Sequence, residues 1–137
     1  MGGHEVVRLL LDTHIWLWMA LEPMRLSSRV RRALDNPENE LWLSPIAVWE
    51  LLMLTRKKRV ELDEDPVVWS QQTIQQLQLR EAPLTFEVAL ETSTVELPHS
   101  DPSDRFMVAS AKVFDLTLVT ADQKLLTVPG VKVLANT

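Results

Sequence analysis

Residues 6–11, Val6-Val7-Arg8-Leu9-Leu10-Leu11, form a nearly unbroken apolar and partly β-branched run that stops abruptly at Asp12-Thr13. A strand with one wet face alternates apolar and polar residues. A continuous run is the pattern of a strand covered on both faces, as in a parallel sheet sandwiched by helices. This one segment therefore requires the rest of the chain to supply helices for two faces, and it leaves an acid at the strand's carboxyl end. Leu116-Thr117-Leu118-Val119, ending at Thr120, repeats the pattern near the other end of the chain.

The sequence between these runs alternates helix and strand signals. A helix is expected over residues 14–21, closed by Pro23, and a second from the Ser27-Ser28 cap, with Val30, Ala33 and Leu34 turned inward. Asn36-Pro37 marks a turn before a short strand, Leu41-Trp42-Leu43. Ser44-Pro45 then offers a capping hydroxyl followed by proline at the first helical position, which puts Glu50 about one and a half turns into the next helix. Pro66 opens another helix to about Leu77, with Val67, Val68, Ile74 and Leu77 as its apolar set. Ala82-Pro83-Leu84 reads as a brief strand and residues 86–92 as a helix. Two prolines in the loop at 97–103 delay the following helix to about Ser103, and Phe106, Val108, Ala109, Ala111 and Val113 form its buried side. A short helix near Leu125 and a strand over residues 131–134 complete the pattern. Strands alternating with helices specify the α/β class, a central parallel sheet flanked by helices on both faces.

With 137 residues the chain is sized for one domain, expected over residues 1–137 with the first five outside the fold argument. There is no cysteine, so any metal must be held by oxygen or imidazole. No apolar run approaches the roughly 20 residues of a membrane helix, and the N-terminus lacks the pattern of a secretory signal, so a cytoplasmic protein without a membrane partner is expected. The net charge of −5 runs against a nucleic-acid partner, which must therefore be met locally. Arg25, Arg29, Arg31 and Arg32 make one basic stretch, and Arg56, Lys57, Lys58 and Arg59 an unbroken run of four. Both are placed to flank a site, and both equally suit solvated helix ends.

In open α/β sheets ligands sit beyond the carboxyl ends of the strands. Asp12 and Asp122 follow strands directly, while Glu50 and Asp104 lie in the first turns of helices whose N-termini can face the same edge. Four carboxylates on one rim repel one another, and a divalent cation resolves that repulsion. Oxygen-only ligation suits magnesium or manganese, and the reaction best matched to such a cluster is phosphodiester hydrolysis. Each acid also has a plainer reading: Asp12 as a helix cap, Glu50 on an exposed helix face, Asp101 or Asp104 as turn or cap residues, Asp122 as a loop acid. His14 and His99 read first as packing or surface residues, and the five tryptophans as core or subunit interface.

Taken in order, Leu10-Leu11-Asp12-Thr13-His14, Ser44-Pro45-Ile46-Ala47-Val48-Trp49-Glu50, His99-Ser100-Asp101-Pro102-Ser103-Asp104-Arg105 and Val119-Thr120-Ala121-Asp122 resemble the PIN-domain family, and within it the VapC-type toxins of toxin–antitoxin pairs. The resemblance implies a metal-dependent endoribonuclease that cuts structured RNA, a transfer or ribosomal RNA, is silenced by a cognate antitoxin covering its site, and forms a homodimer. It places Asp12, Glu50, Asp104 and Asp122 on the family's four acidic positions, with Asp101 as an additional acid. Asp12 and Asp104 would be metal ligands, Glu50 would bind metal or orient water, and Asp122 would complete the site. Thr13, Ser44 and Thr120 would support these groups with hydroxyls, and Arg105 would pair with an acid. The helix after Glu50 reads Leu51-Leu52-Met53-Leu54-Thr55, without the lysine common in this branch, which leaves Arg56 and Lys57 as substitutes and Arg56 to Arg59 as candidate RNA contacts.

Two other classes fit less well. A receiver-like phosphotransfer domain requires paired acids after the first strand and an acid after a middle strand, whereas Asp12 is single and Glu50 is on a helix. A non-catalytic RNA- or partner-binding module of the same fold would not need acids at all four positions.

Overall fold

The computed structural model describes residues 6–98 and 101–137. His99 and the first five residues lie outside this range. One sheet of five parallel strands, β1 (Arg8–Leu11), β2 (Glu40–Leu43), β3 (Arg80–Glu81), β4 (Thr117–Thr120) and β5 (Lys132–Ala135), is ordered β3-β2-β1-β4-β5. Six α-helices connect the strands: α1 (Thr13–Leu21), α2 (Ser28–Asp35), α3 (Pro45–Arg56), α4 (Pro66–Gln76), α5 (Phe86–Glu91) and α6 (Pro102–Val113).

Leu9, Leu10 and Leu11 are each at most 1% exposed. Successive strand residues point to opposite faces, so complete burial of three in a row shows that both faces of β1 are covered. Leu118 and Val119 of β4 repeat this beside β1, with Leu10 paired to Leu118 and Leu11 to Val119. The chain adds strands on one side of β1 and later returns to add β4 and β5 on the other. The strand order therefore reverses between β1 and β4, the point where open α/β sheets form a crevice at their carboxyl edge. A receiver-like sheet has the order 2-1-3-4-5, and this sheet does not.

The helix starts follow their local chemistry. Ser27, Ser44 and Asp65 accept hydrogen bonds from N–H groups of the first turns of α2, α3 and α4, and Pro45 and Pro66 stand within those turns. Three expectations shift. α6 begins at Pro102, not Ser103, because Asp101 caps it and proline is favoured at the first helical position. The third strand is Arg80–Glu81, two residues before the expected 82–84, since its register is set by pairing Trp42 with Arg80 and Leu43 with Glu81. In α4, Val67 and Val68 are 50% and 41% exposed while Trp69, Ser70 and Thr73 face inward. Trp69 packs on the buried Trp16 with ring centroids 5.2 Å apart, and the Trp16 indole N–H donates to Thr73 Oγ1 at 3.1 Å. Thr73 is thus turned inward to satisfy a buried donor. In α6, Met107 is fully buried and the expected Phe106 and Val113 only partly.

Among the described residues no helix is long and apolar enough to cross a membrane.

Candidate active site

At the carboxyl edge, between β1 and β4, a cleft of about 500 Å³ is lined by Asp12, Glu50, Asp101, Asp104 and Asp122, together with His14, Trp18, Arg25, Ala121 and Lys124. Five acids drawn from four parts of the chain thus face one space. Three of them are held by one kind of local device, a carboxylate that caps a helix N-terminus. Asp12 is the N-cap of α1 and accepts from the Thr13 N–H at 2.8 Å. Asp101 caps α6 through the Ser103 N–H. Asp122 accepts from the Lys124 N–H at the single 3-10 turn after β4. The plainer cap readings therefore hold as local structure, and they are also what aims these carboxylates at the cleft.

Two hydroxyls hold three of the acids. Thr120 Oγ1 donates to Asp12 Oδ2 at 2.6 Å and accepts from the Asp122 N–H at 3.0 Å, so one threonine ties the acids that end β1 and β4. Ser103 Oγ lies 3.0 Å from Glu50 Oε2 and 2.8 Å from Asp101 Oδ1, bridging α3 to α6. Thr13 Oγ1 is buried and without a hydrogen-bond partner among the described residues, while Ser44 caps α3 and lines a separate, largely apolar pocket with Pro45, Val48 and Ile74. Arg105 donates to the carbonyls of Thr92 and Val95, tying α6 to the segment before it.

Electrostatics follow from this crowding. Asp104, 9% exposed, has its pKa raised from 3.8 to about 7, first by loss of water and then by the charges of Asp101, Asp12, Asp122 and Glu50. Burial likewise raises Asp12, with Glu50 adding to the effect and the hydrogen bonds from Thr120 and Thr13 opposing it. A site whose burial and like charges together push a carboxyl to neutrality is one that a cation would relieve. Among the described residues no three acidic or imidazole groups stand so as to hold one ion directly. Magnesium keeps several waters and takes one or two carboxylates. The all-oxygen donors and the excess of negative charge fit a hydrated hard cation of that kind.

The basic residues divide. Arg56, Lys57, Lys58 and Arg59 are exposed at the end of α3, and none lines the acidic cleft. Lys58 adopts a left-handed backbone, φ 59°, that ends the helix and turns the chain. Arg56 then lies beside Asp65 and Val67, while Arg59 lies in a second groove with Trp18, Glu22, Arg25 and Glu61. Arg25, from the first basic stretch, lines the cleft as that stretch is placed to do, and Trp18, Lys124 and Ser103 join it without a sequence signal that singled them out, apart from the place of Ser103 inside the Asp101-Pro102-Ser103-Asp104 stretch. Trp16 and Trp69 are core residues as expected, whereas Trp49 is 51% exposed beside Glu50 and Trp18 lines the cleft.

The PIN domain model matches residues 9–131 of the chain. Ribonuclease VapC22 of Mycobacterium tuberculosis is 34% identical over 120 residues, which cover 85% of this chain and 88% of that protein. Among solved structures, DNA-bound VapBC from Salmonella typhimurium aligns at a TM-score of 0.69 and 17% identity, covering 96% of this chain and all of the other. FitAcB from Neisseria gonorrhoeae aligns at 0.61 and 21% identity, covering 93% and 97%. The switch-point cleft, its acids and these likenesses agree: the chain belongs to the PIN domain family, on its VapC branch.

Proposed function

We propose that this chain is an endoribonuclease toxin, dependent on magnesium or manganese, that hydrolyses phosphodiester bonds in structured RNA, a transfer or ribosomal RNA, in the cytoplasm. The observation that carries the proposal is the convergence of Asp12, Glu50, Asp101, Asp104 and Asp122 on one cleft, with Asp104 raised to about 7 by burial and by the charges of its neighbours. A bound divalent cation would lower the pKa of attacking water and offset the charge that builds on the phosphodiester. Asp12 and Asp104 would hold it, with Asp122 and Asp101 completing the negative lining of the cleft. Thr120 and the Thr13 N–H fix both oxygens of Asp12, so its orientation is set before substrate arrives. Glu50, in contact with Ser103, would orient the attacking water and accept its proton.

The related solved proteins named above include a VapBC complex, which supports a cognate antitoxin as the partner of this chain. An antitoxin would set an apolar segment beside the exposed Trp49 and present a basic side chain to the carboxylates. Leu51 is fully buried and takes no part in that surface. A homodimer belongs to the same proposal, and α5 supplies apolar material for it: Phe86 and Leu90, one helical turn apart, are 91% and 74% exposed.

Mapping of RNA ends after brief expression tests the proposal, with Asp104→Asn as control. Discrete new ends that vanish in the control support it, and identical end profiles in both would overturn it.

A further inference from the structure

The cleft has a wall that the hydrolytic chemistry leaves unused. The Arg25 guanidinium lies 4.3 Å from the centroid of the Trp18 ring, and the His14 ring stands 5.9 Å from the same indole on its own helix, α1. His14, Trp18 and Arg25 line both the acidic cleft and a second groove of about 500 Å³ that continues past Leu21 and Glu22 to Arg59. Lys124 stands among the residues of the acidic cleft itself. The exposed Arg25 guanidinium therefore lies over an indole beside the carboxylate cleft, where a ligand in the cleft can reach it.

The turn that carries Arg25 is fixed from the far end of the chain. Asn136 Nδ2 donates to the Arg25 carbonyl at 3.0 Å, and Asn136 Oδ1 accepts from the Ser27 N–H at 2.6 Å. The Asn136 N–H donates to the carbonyl of Thr120, whose side chain holds Asp12. Arg25 is therefore referenced to the same strand end as the acids, and its position relative to them is preset.

We propose that the Trp18–Arg25 pair is a nucleotide subsite, which holds an unpaired base of the RNA against the Arg25 guanidinium and sets a flanking phosphate between Arg25 and Lys124. Unpaired bases stack on aromatic rings and on arginine planes, which a base inside a duplex cannot reach. The flat guanidinium already lies over one aromatic ring, so a base on its outer face extends an existing stack. Glu22 pairs with Arg25 at 3.4 Å and opposes the phosphate, and it gives the subsite a directional test. This inference rests on the ribonuclease reading and adds an unpaired base to what the site recognises.

The test measures binding of a 12-nucleotide single-stranded RNA of mixed sequence, and of a duplex of the same length, to the full chain carrying Asp104→Asn so that the RNA stays whole. Arg25→Gln on that background should weaken single-strand binding by about 10-fold and reduce the salt slope by about one. Arg25→Lys, which keeps the charge and loses the plane, should restore the salt slope but only part of the affinity. Glu22→Gln should tighten single-strand binding by a few fold, a gain that loss of folding cannot produce. Lys132→Gln, at the opposite end of β5 and paired with Asp115, should change nothing. Unchanged affinity in Arg25→Gln, an equal loss for duplex and single strand, or weaker binding in Glu22→Gln would overturn the subsite. So would a cognate antitoxin losing affinity in Arg25→Gln while RNA does not, because the wall would then serve the antitoxin. Absence of cleavage by the unmodified chain in magnesium would instead count against the ribonuclease reading, and the binding series would still judge the subsite.

Discussion

Thr120 donates a 2.6 Å hydrogen bond to Asp12 across 108 positions of sequence, joining the ends of the two strands that flank the switch point. This bond favours the ionised form of Asp12 against the burial that opposes it. Thr120→Val removes the donor at nearly constant volume and leaves Asp12 more prone to hold a proton. Cleavage should fall roughly tenfold or more, the scale of a lost hydrogen bond to a charged group, and Thr120→Ser should recover most of it. Single-turnover rates across pH, taken well below the melting temperature of each variant, check this, since the Val variant's profile should move to higher pH.

The raised Asp104 carboxyl makes stability depend on pH in a stated direction. Its value is about 7 in the folded chain against an ordinary 3.8, so the folded state holds a proton that the unfolded state has released. The resulting stability is fully present below about pH 4 and is lost as pH rises through about 7, and Asp12 contributes with the same sign. For Asp104 the difference amounts to at most about 4 kcal/mol. The metal-free protein should melt at a lower temperature at pH 8 than at pH 5.5. Asp104→Asn should flatten that slope, and magnesium at pH 8 should reverse the loss, as ligands that bind only the folded state do. Melting curves at the two pH values, with and without several millimolar magnesium, measure all three effects.

Ser103 is the shared hydroxyl of Glu50 and Asp101. Ser103→Ala should free Glu50 and reduce cleavage by about tenfold while the Asp104→Asn form of the same variant binds RNA normally. Loss confined to the chemical step identifies Ser103 as a positioning residue, and equal losses in binding would assign it to substrate instead.

In the core, Trp16→Phe should cost about 1–3 kcal/mol, because it leaves Thr73 without the indole donor in a buried setting. The double variant Trp16→Phe, Thr73→Val should recover part of that cost. Denaturant unfolding of the single and double variants gives the coupling directly.

Much of this architecture is written in local signals. Ser44-Pro45 and Asp65-Pro66 start helices whatever surrounds them, and the unbroken apolar runs ending at Leu11 and Val119 require two covered faces. The acids at strand and helix ends could be placed on one edge for the same reason. What escaped local reading depends on partners distant in sequence. β3 is too short for its composition to fix it, and pairing with Trp42 and Leu43 decides where it falls. Thr73 faces inward because Trp16 needs an acceptor, which turns Val67 and Val68 outward against their hydropathy. Arg25 reaches the cleft because Asn136, 111 positions away, holds its turn, and no pattern near Arg25 announces that tether. Arg56 to Arg59 look like one patch in sequence, yet the left-handed turn at Lys58 separates Arg59 from Arg56.

The proposed ribonuclease activity is tested most directly by incubating purified, antitoxin-free protein with structured RNA, with and without magnesium, beside its Asp104→Asn variant. Asparagine keeps the size of the side chain and removes one charge from the cluster. The wild-type chain should cut RNA only when magnesium or manganese is present, and Asp104→Asn should cut at least about 100-fold more slowly. Cleavage by Asp104→Asn at the wild-type rate in magnesium, or undiminished wild-type cleavage in chelator, would contradict the assignment of the acidic cleft as a metal-dependent nuclease site.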